Sequence, residues 1–277
     1  MLVPFIKMQG LGNDFVLIDQ RQSSFELSSA QITAIADRRL GVGCDQILVL
    51  APTSMPDAIG QYRVFNADGS RAEHCGNGAR CVARYLQDAG EVIDNRFNLE
   101  VNGSACALEI KNNGLIRVDM GAPIFDPKEI PIATREFKDR HEICVGQSPL
   151  TFGCVSLGNP HAVTIVEDVE TAAVTEVGRS LQAHNYFPSR VNVGFMQIVD
   201  EARIRLRVFE RGVGETRACG TGACAAVAVG RTWGRLAEVV NVELTGGTLG
   251  IEWSGRETAS LWMIGPAERV FDGTLKL

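Results

Sequence analysis

The chain has 277 residues, of which 45% are hydrophobic and 22% are charged, and its formal net charge is −6. This composition predicts a globular protein with a substantial core, most simply arranged as two domains of ordinary size. The acidic balance argues against binding to nucleic acid or to an anionic membrane, because both require a basic surface. No stretch approaches 18 uninterrupted apolar residues, and the first residues lack the basic region of a signal peptide, so we expect a cytoplasmic protein without a membrane span.

The eight cysteines predict reduced thiols, since a disulfide framework is typical of short secreted domains. None of them forms a Cys-x-x-Cys pair, and the four histidines show no ligand spacing against them, so no metal site is expected. A lone cysteine in such a chain usually packs as a small buried hydrophobe. We expect that role for Cys44, Cys81, Cys106, Cys144, Cys154 and Cys224.

The first half of the chain alternates between strand and helix signals. Residues 5–18 predict two strands joined by a turn. Ser28-Ser29 offers the N-cap of a helix with Arg38 and Arg39 near its end. Further along, alternating apolar residues and turn signals predict a meander. The remaining predicted elements of this half are strands at 46–50 and 61–66, a helix at 76–87, and strands at 97–101, 105–110 and 116–120.

Blocks of the first half recur in the second half at a nearly constant offset. The sequence CGNGA at 75–79 corresponds to CGTGA at 219–223, an offset of 219 − 75 = 144. Asn13 corresponds to Asn159 and Gln46 to Asn192, each at an offset of 146. Because the helix at 220–229 has Ala and Val on all sides, it should be enclosed by other elements. We therefore predict an α+β fold of two pseudo-symmetric domains from an internal duplication, each a curved, mostly antiparallel sheet or barrel around a central helix.

The two repeated motifs each place a thiol at the start of a helix. There the helix dipole and the unpaired N–H groups favour the thiolate and can lower the pKa of a cysteine from about 8.5 to a range of about 3.5–7.5. The N–H groups of Gly76 and Asn77 could also bind a carboxylate, and those of Gly220 and Thr221 could do the same.

Two such helices related by a pseudo-two-fold axis can point at one cleft between the halves. Cys75 and Cys219 would then lie on opposite sides of a small bound molecule. If one sulfur removes an α-proton and the other returns a proton on the opposite face, the stereocentre inverts. The sequence thus predicts a two-base racemase or epimerase that needs neither a metal nor pyridoxal phosphate.

Several motifs resemble those of the diaminopimelate epimerase family along the whole length of the chain. They are KMQGLGNDF at 7–15, NADGS at 66–70 before the first thiol, and ERGVGETRACGTG at 210–222, with shorter matches at 45–46 and 158–161. The resemblance implies conversion of LL- to meso-2,6-diaminopimelate in lysine and peptidoglycan precursor biosynthesis, by a homodimer without a cofactor. It also implies an N-terminal half at 1–118, to which the tail 264–277 returns, and a C-terminal half at 119–263.

The resemblance further assigns roles to individual residues. Cys75 and Cys219 would form the acid/base pair, Arg211 and several asparagines would hold the distal end of the substrate, and His161 would line the site or support it from behind. Asparagine and glutamine suit a substrate with two ammonium and two carboxylate groups, because they donate and accept without adding charge. The implied substrate-binding residues are Asn13, Gln46, Asn66, Gly76, Asn77, Asn159, Asn192, Glu210, Arg211, Gly220 and Thr221.

The sequence motifs leave alternative functions open. A proline or hydroxyproline racemase also uses two cysteines in related motifs, whereas phenazine-type isomerases lack the thiol pair. A redox-responsive binding protein could instead join Cys75 and Cys219 in a reversible disulfide. A Cys–His protease built on His74 and Cys75 is disfavoured, because residues adjacent in the chain seldom face each other.

Overall fold

The computed structural model describes residues 1–23, 25–72, 75–146 and 148–277, so His74 lies outside the described residues. The chain forms two compact units, one made of 1–119 together with 264–277 and the other of 120–263.

The first unit begins with a β-hairpin and receives the last strand of the chain. Its elements are β1 (Leu2–Gly10), β2 (Asn13–Asp19), α1 (Ser29–Ala36), β3 (Gln46–Ala51), β4 (Ala58–Asn66), α2 (Gly76–Asp88), β5 (Arg96–Val101), β6 (Ser104–Ile110) and β7 (Ile116–Asp119). The elements that follow are β8 (His141–Val145), β9 (Ser148–Ser156), β10 (Pro160–Ile165), α3 (Val174–Ala183), β11 (Asn192–Asp200), β12 (Arg203–Glu210), β13 (Gly214–Thr216), α4 (Gly220–Thr232), β14 (Val239–Leu244), β15 (Gly247–Glu252), β16 (Trp262–Gly265) and β17 (Glu268–Lys276).

The strands of both units follow the same spatial order. In the first unit the order is β17-β1-β2-β3-β4-β5-β6-β7, and in the second it is β8-β9-β10-β11-β12-β14-β15. The pairs β2–β3 and β4–β5 are parallel, as are β10–β11 and β12–β14, and the other neighbours in these orders are antiparallel. The predicted α+β fold of two equivalent, mostly antiparallel halves is confirmed.

The duplication extends to the register of individual residues. Phe15 lies opposite Gln46 in the first unit, and His161 lies opposite Asn192 in the second. The two offsets are 161 − 15 = 146 and 192 − 46 = 146, so equivalent residues pair in equivalent ways. A slip by one residue would turn every side chain of a strand to the other face.

Each sheet surrounds one central helix. Strands β1, β2, β3, β4, β6, β7 and β17 all contact α2, and strands β9, β10, β11, β12 and β15 contact α4. Residues 220–230 of α4 are all buried, which confirms the prediction of an enclosed helix. Small residues make this enclosure possible: a Cβ atom added at Gly78 of α2 would lie only 2.2 Å from the hydroxyl oxygen of Tyr62.

A second helix covers the outer face of each sheet, α1 in the first unit and α3 in the second. The residues that start and end α1 can be identified. Ser28 caps α1 with a reciprocal capping box formed with Gln31, as the N-cap prediction required. The helix ends at Ala36, so the prediction that Arg38 and Arg39 belong to it is wrong. Asp37 adopts an extended backbone, and its carboxylate accepts hydrogen bonds from the N–H groups of Arg39 and Leu40, which favours a turn over another helical residue.

Five of the six cysteines expected in the core are buried. The prediction is wrong for Cys144, which is exposed. On β8, side chains alternate between the two faces, and Cys144 shares the outward face with the exposed Glu142.

Candidate active site

In the first unit, Cys75 occupies the N-cap position of α2. Its backbone is extended, with φ −121° and ψ 101°, and its side chain is half-buried. The hydroxyl of the buried Tyr62 donates a hydrogen bond of 3.0 Å to the carbonyl oxygen of Cys75. The following residues Gly76 and Asn77 are buried, so the first turn of the helix lies inside the sheet.

Three predicted binding residues meet at one edge of the first sheet. Because β2 and β3 are parallel and β4 runs against them, the starts of β2 and β3 and the end of β4 lie together. Gln46 at the start of β3 donates a hydrogen bond of 3.0 Å from Nε2 to Oδ1 of Asn66 at the end of β4. Asn13 at the start of β2 accepts a bond of 3.3 Å from Nδ2 of Asn77, which links this edge to the start of α2.

A cluster of charged residues supports Asn13 from behind. Oδ2 of Asp45 accepts from Nδ2 of Asn13 at 3.0 Å, and Arg38 bridges Asp45 and Asp14 at 2.6 and 2.7 Å. Lys7 donates to Asp14 at 2.5 Å. Burial opposes ionisation of Asp14, but hydrogen bonds from Arg38 and Lys7 outweigh it and hold the pKa of this carboxyl well below its usual range.

The role of Arg38 could not be found from the sequence, because its spacing gives no sign that it meets Asp14 and Asp45. For Lys7, the motif at 7–15 was an available signal. For Asp45, the motif at 45–46 was the available signal. Tyr62 was likewise not identified, since a tyrosine within a strand most often belongs to the core.

In the second unit, Cys219 is the N-cap of α4, and a chain of polar contacts leads away from its sulfur. The Sγ atom lies 3.6 Å from Oγ1 of Thr221, which accepts a bond of 3.4 Å from Nδ2 of Asn159. Oδ1 of Asn159 lies 2.9 Å from Nε2 of the buried His161. An amide oxygen only accepts hydrogen bonds, so His161 carries its proton on Nε2 in this arrangement.

The environment of the second thiol disfavours a negative charge. Burial is the largest cause that raises the pKa of Cys219, followed by the negative charge of Glu210, and the bonds from Thr221 and the N–H of Gly222 only partly oppose them. Burial, together with the positive charge of Arg211, lowers the pKa of His161 to about 3. At neutral pH His161 is therefore an uncharged imidazole, and Cys219 is a thiol.

Asn192 fixes the turn that carries Glu210 and Arg211. Its Nδ2 donates to the carbonyl oxygen of Pro160 at 3.1 Å, and its Oδ1 accepts from the N–H of Arg211 at 2.8 Å. The carboxylate of Glu210 accepts from the hydroxyl of Thr216. The structure thus joins Cys219 to Thr221, Asn159 and His161, places Glu210 near enough for its charge to act on Cys219, and links Asn192 to Arg211.

Equivalent positions of the two units carry different chemistry. Asn66 corresponds to Glu210 at 210 − 66 = 144, and Asn77 corresponds to Thr221 at 221 − 77 = 144. The duplication therefore conserves the placement of the thiols but not the charge around them.

The described parts of the chain contain neither a candidate metal-binding cluster nor a candidate membrane-spanning helix. No group of three or more His, Cys, Asp or Glu side chains there could hold a metal ion. None of the helices in the same ranges is long and apolar enough to cross a membrane.

Comparison with known proteins gives a match to a family model and matches to full-length relatives. The family model described as diaminopimelate epimerase matches residues 5–125 and 153–270. A diaminopimelate epimerase of Alkalilimnicola ehrlichii is 50% identical over 280 residues and covers 100% of both chains. A diaminopimelate epimerase of Halorhodospira halophila is 48% identical over 273 residues, which cover 99% of this chain and 95% of the relative.

Solved structures with low sequence identity share the fold. A hydroxyproline epimerase from Agrobacterium vitis matches with a TM-score of 0.73 at 13% identity, over 99% of this chain and 92% of that one. A phenazine biosynthesis protein of the PhzF family from Bacillus anthracis matches with a TM-score of 0.68 at 16% identity, over 100% of both chains. At such identities the likeness concerns the fold alone.

Proposed function

We propose a reaction for this chain from one premise: it belongs to the diaminopimelate epimerase family. The chain is accordingly an isomerase of the epimerase class. The reaction is inversion of one α-carbon of LL-2,6-diaminopimelate to give the meso isomer, a step of lysine biosynthesis.

The observation that carries the proposed mechanism is the equivalent placement of two thiols. Cys75 and Cys219 are each the N-cap of a buried helix at the centre of a duplicated unit. In our proposal one sulfur, as thiolate, removes the α-proton, and the other, as thiol, delivers a proton to the opposite face. The two sulfurs exchange roles when the reaction runs in reverse, and no cofactor takes part.

The helix N-termini supply the stabilisation that this chemistry needs. Removing a proton beside a carboxylate creates an enolate-like carbanion, and fixed N–H groups aimed at its oxygens lower the barrier. We assign this task to the N–H groups of Gly76 and Asn77 on α2 and of Gly220 and Thr221 on α4. A helix N-terminus favours an anion for the same reason.

The distal end of the substrate does not react and must only be recognised. Arg211 suits its carboxylate, because a guanidinium can donate two parallel hydrogen bonds. The amides of Asn13, Gln46 and Asn66 meet at one edge of the first sheet, and Asn159 and Asn192 lie in the second unit. We propose them, with Glu210, as the groups that bind the ammonium and carboxylate ends, while His161 supports Asn159 from behind.

We further propose that the protein acts as a homodimer in the cytoplasm. Exposed apolar side chains on β17 support a dimer, since the neighbouring residues Val270 and Phe271 are 55% and 48% exposed. A reducing compartment would keep both reactive thiols available.

The test is a substrate screen with cysteine variants. LL-diaminopimelate, L-proline and trans-4-hydroxy-L-proline are each incubated with the reduced protein, and the stereoisomers are separated by chiral chromatography. We expect inversion of diaminopimelate alone, its loss in both Cys75→Ser and Cys219→Ser, and full activity in Cys144→Ser, whose thiol is exposed on β8. Inversion of proline or hydroxyproline instead would change the substrate. Binding of diaminopimelate without inversion by the wild type would favour the redox-responsive binding protein.

A further inference from the structure

A fully buried arginine lies close to the first thiol. Arg80 of α2, five residues after Cys75, has no exposed surface. Its Nε donates a hydrogen bond of 3.0 Å to the carbonyl oxygen of Pro266, in the segment that returns to the first unit. A Cβ atom added at Gly10 would lie 3.2 Å from Nη2 of Arg80 and 3.6 Å from the carbonyl oxygen of Asn77. The guanidinium therefore reaches back along α2 to its first turn, the usual direction of a long helical side chain.

The second unit has no counterpart of this charge at the equivalent position. Arg80 corresponds to Cys224 at 224 − 80 = 144. Gly10, which leaves room for the guanidinium, precedes a Leu-Gly-Asn turn, and the same turn in the second unit is preceded by Ser156. Arg80 and Gly10 thus occur together in the first unit, and Cys224 and Ser156 replace them together in the second. A side chain at residue 10 would displace the guanidinium of Arg80.

A buried guanidinium is an expensive group to retain for stability alone. Taking it out of water carries a large desolvation penalty, and an apolar side chain of similar volume often packs at least as well. Its charge does act on nearby groups. Burial is the main cause that raises the pKa values of Tyr62 and Cys81, the charge of Cys75 raises them further, and Arg80 lowers them.

These effects place Cys75 and Arg80 in one electrostatic neighbourhood. Tyr62 on β4, Cys81 on α2 and Cys106 on β6 are the other titratable groups that interact there. Of the charged groups on β1 and β2, Lys7 and Asp14 pair with each other. The chain neighbours of Cys75 at 73 and 74 lie outside the described residues.

We propose that Arg80 is a positioning residue for the reaction proposed above. It packs against Gly10 at the end of β1 and ties α2 by a hydrogen bond to the returning segment, and its buried charge stabilises the Cys75 thiolate. Cys219 has a carboxylate, Glu210, in place of a cation. The two thiols therefore start the reaction in different protonation states, although their backbone settings are equivalent.

The experiment measures thiolate formation at each cysteine without substrate. Alkylation by iodoacetamide is followed between pH 5 and 10, and modification at Cys75 and Cys219 is quantified separately by peptide mass spectrometry. The variants are Arg80→Met, which removes the charge, and Arg80→Lys, which keeps it. Arg84→Met is the matched control, because Arg84 lies one turn further along α2, half-exposed and paired with Asp88.

We expect Arg80→Met to raise the midpoint of Cys75 alkylation by about one pH unit, a tenfold loss of thiolate below the midpoint. Arg80→Lys should keep the Cys75 midpoint within half a pH unit of the wild-type value, and Arg84→Met should leave it unchanged. The alkylation midpoint of Cys219 should stay the same in all of these variants. If Arg80→Met does not fold, Arg80→Gln, which is uncharged but still donates to Pro266, replaces it.

An unchanged Cys75 midpoint in a folded, uncharged variant would overturn the proposal and leave Arg80 a structural residue. Because alkylation requires no substrate, this outcome is distinct from a failure of the proposed function. If the wild type does not invert diaminopimelate, the proposed function is wrong. The alkylation midpoints would still show whether Arg80 stabilises the Cys75 thiolate.

Discussion

The buried imidazole of His161 leads to a prediction about stability and pH. Its pKa is about 3 in the folded protein, against 6.5 when exposed. At a pH between these two pKa values, His161 binds a proton in the unfolded chain but not in the folded protein. The free energy of unfolding therefore falls as the pH falls. The contribution is fully present above about pH 6.5 and is lost progressively toward pH 3. At pH 5, which is 1.5 pH units below the pKa of 6.5, the free energy of unfolding is lower by about 2 kcal/mol, at 1.36 kcal/mol per unit.

The assay is urea denaturation of the wild type and of His161→Gln at pH 7.5 and at pH 5.0. Glutamine keeps a donor toward Asn159 but does not titrate in this range, so the variant should lose about 2 kcal/mol less than the wild type between the two pH values. Thr164→Val is the matched control, because it removes a buried hydroxyl from the same strand without removing a titratable group. It should be less stable than the wild type by the same amount at both pH values. An equal pH dependence in the wild type and in His161→Gln would show that His161 does not cause the loss of stability at low pH.

Three further predictions concern the surroundings of the two thiols. Thr221→Val removes the hydroxyl whose hydrogen bond partly offsets the rise in the pKa of Cys219, so it should lower kcat about tenfold with little change in KM. Steady-state kinetics decide, and a selective rise in KM would show that the hydroxyl serves substrate binding instead. Asp45→Asn loosens the support of Asn13 and should raise KM about tenfold while the thermal midpoint changes little; an unchanged KM would show that this support is dispensable. Gly78→Ala forces a Cβ against the Tyr62 hydroxyl and should reduce the free energy of unfolding by about 3 kcal/mol, measured by denaturation, whereas a neutral effect would mean that this end of α2 can shift.

The duplication was the part of the fold that the sequence revealed best. Offsets of 144 and 146 in the motifs predicted equivalent halves, and the paired register of Phe15 with Gln46 and of His161 with Asn192 repeats at the same offset. Ser28 was also identified correctly as an N-cap, because a capping residue acts through its immediate neighbours. Such signals survive in the sequence because they are local or repeated.

Contacts between distant parts of the chain were not predictable. Arg38 was predicted near the end of α1, but it lies beyond the helix and bridges Asp14 and Asp45, a tertiary arrangement that no spacing reveals. Nothing in the sequence distinguishes Arg80, and only the structure shows that it is buried beside Gly10. The sequence contains Glu210 where the first unit has Asn66 and Cys224 where it has Arg80. It does not show that Glu210 acts on Cys219 or that Arg80 is buried.

The central claim is that two different thiols exchange the α-proton of diaminopimelate on opposite faces. Proton NMR of LL-diaminopimelate with the reduced protein in D₂O tests it most directly, since a thiol equilibrated with solvent delivers deuterium. With two bases, the first meso product should carry deuterium at the inverted carbon while the remaining LL substrate keeps its α-proton. Early deuterium in the LL substrate at the rate of product formation would point to a single base. Absence of both exchange and meso product, in a folded protein with both thiols reduced, would contradict the claim altogether.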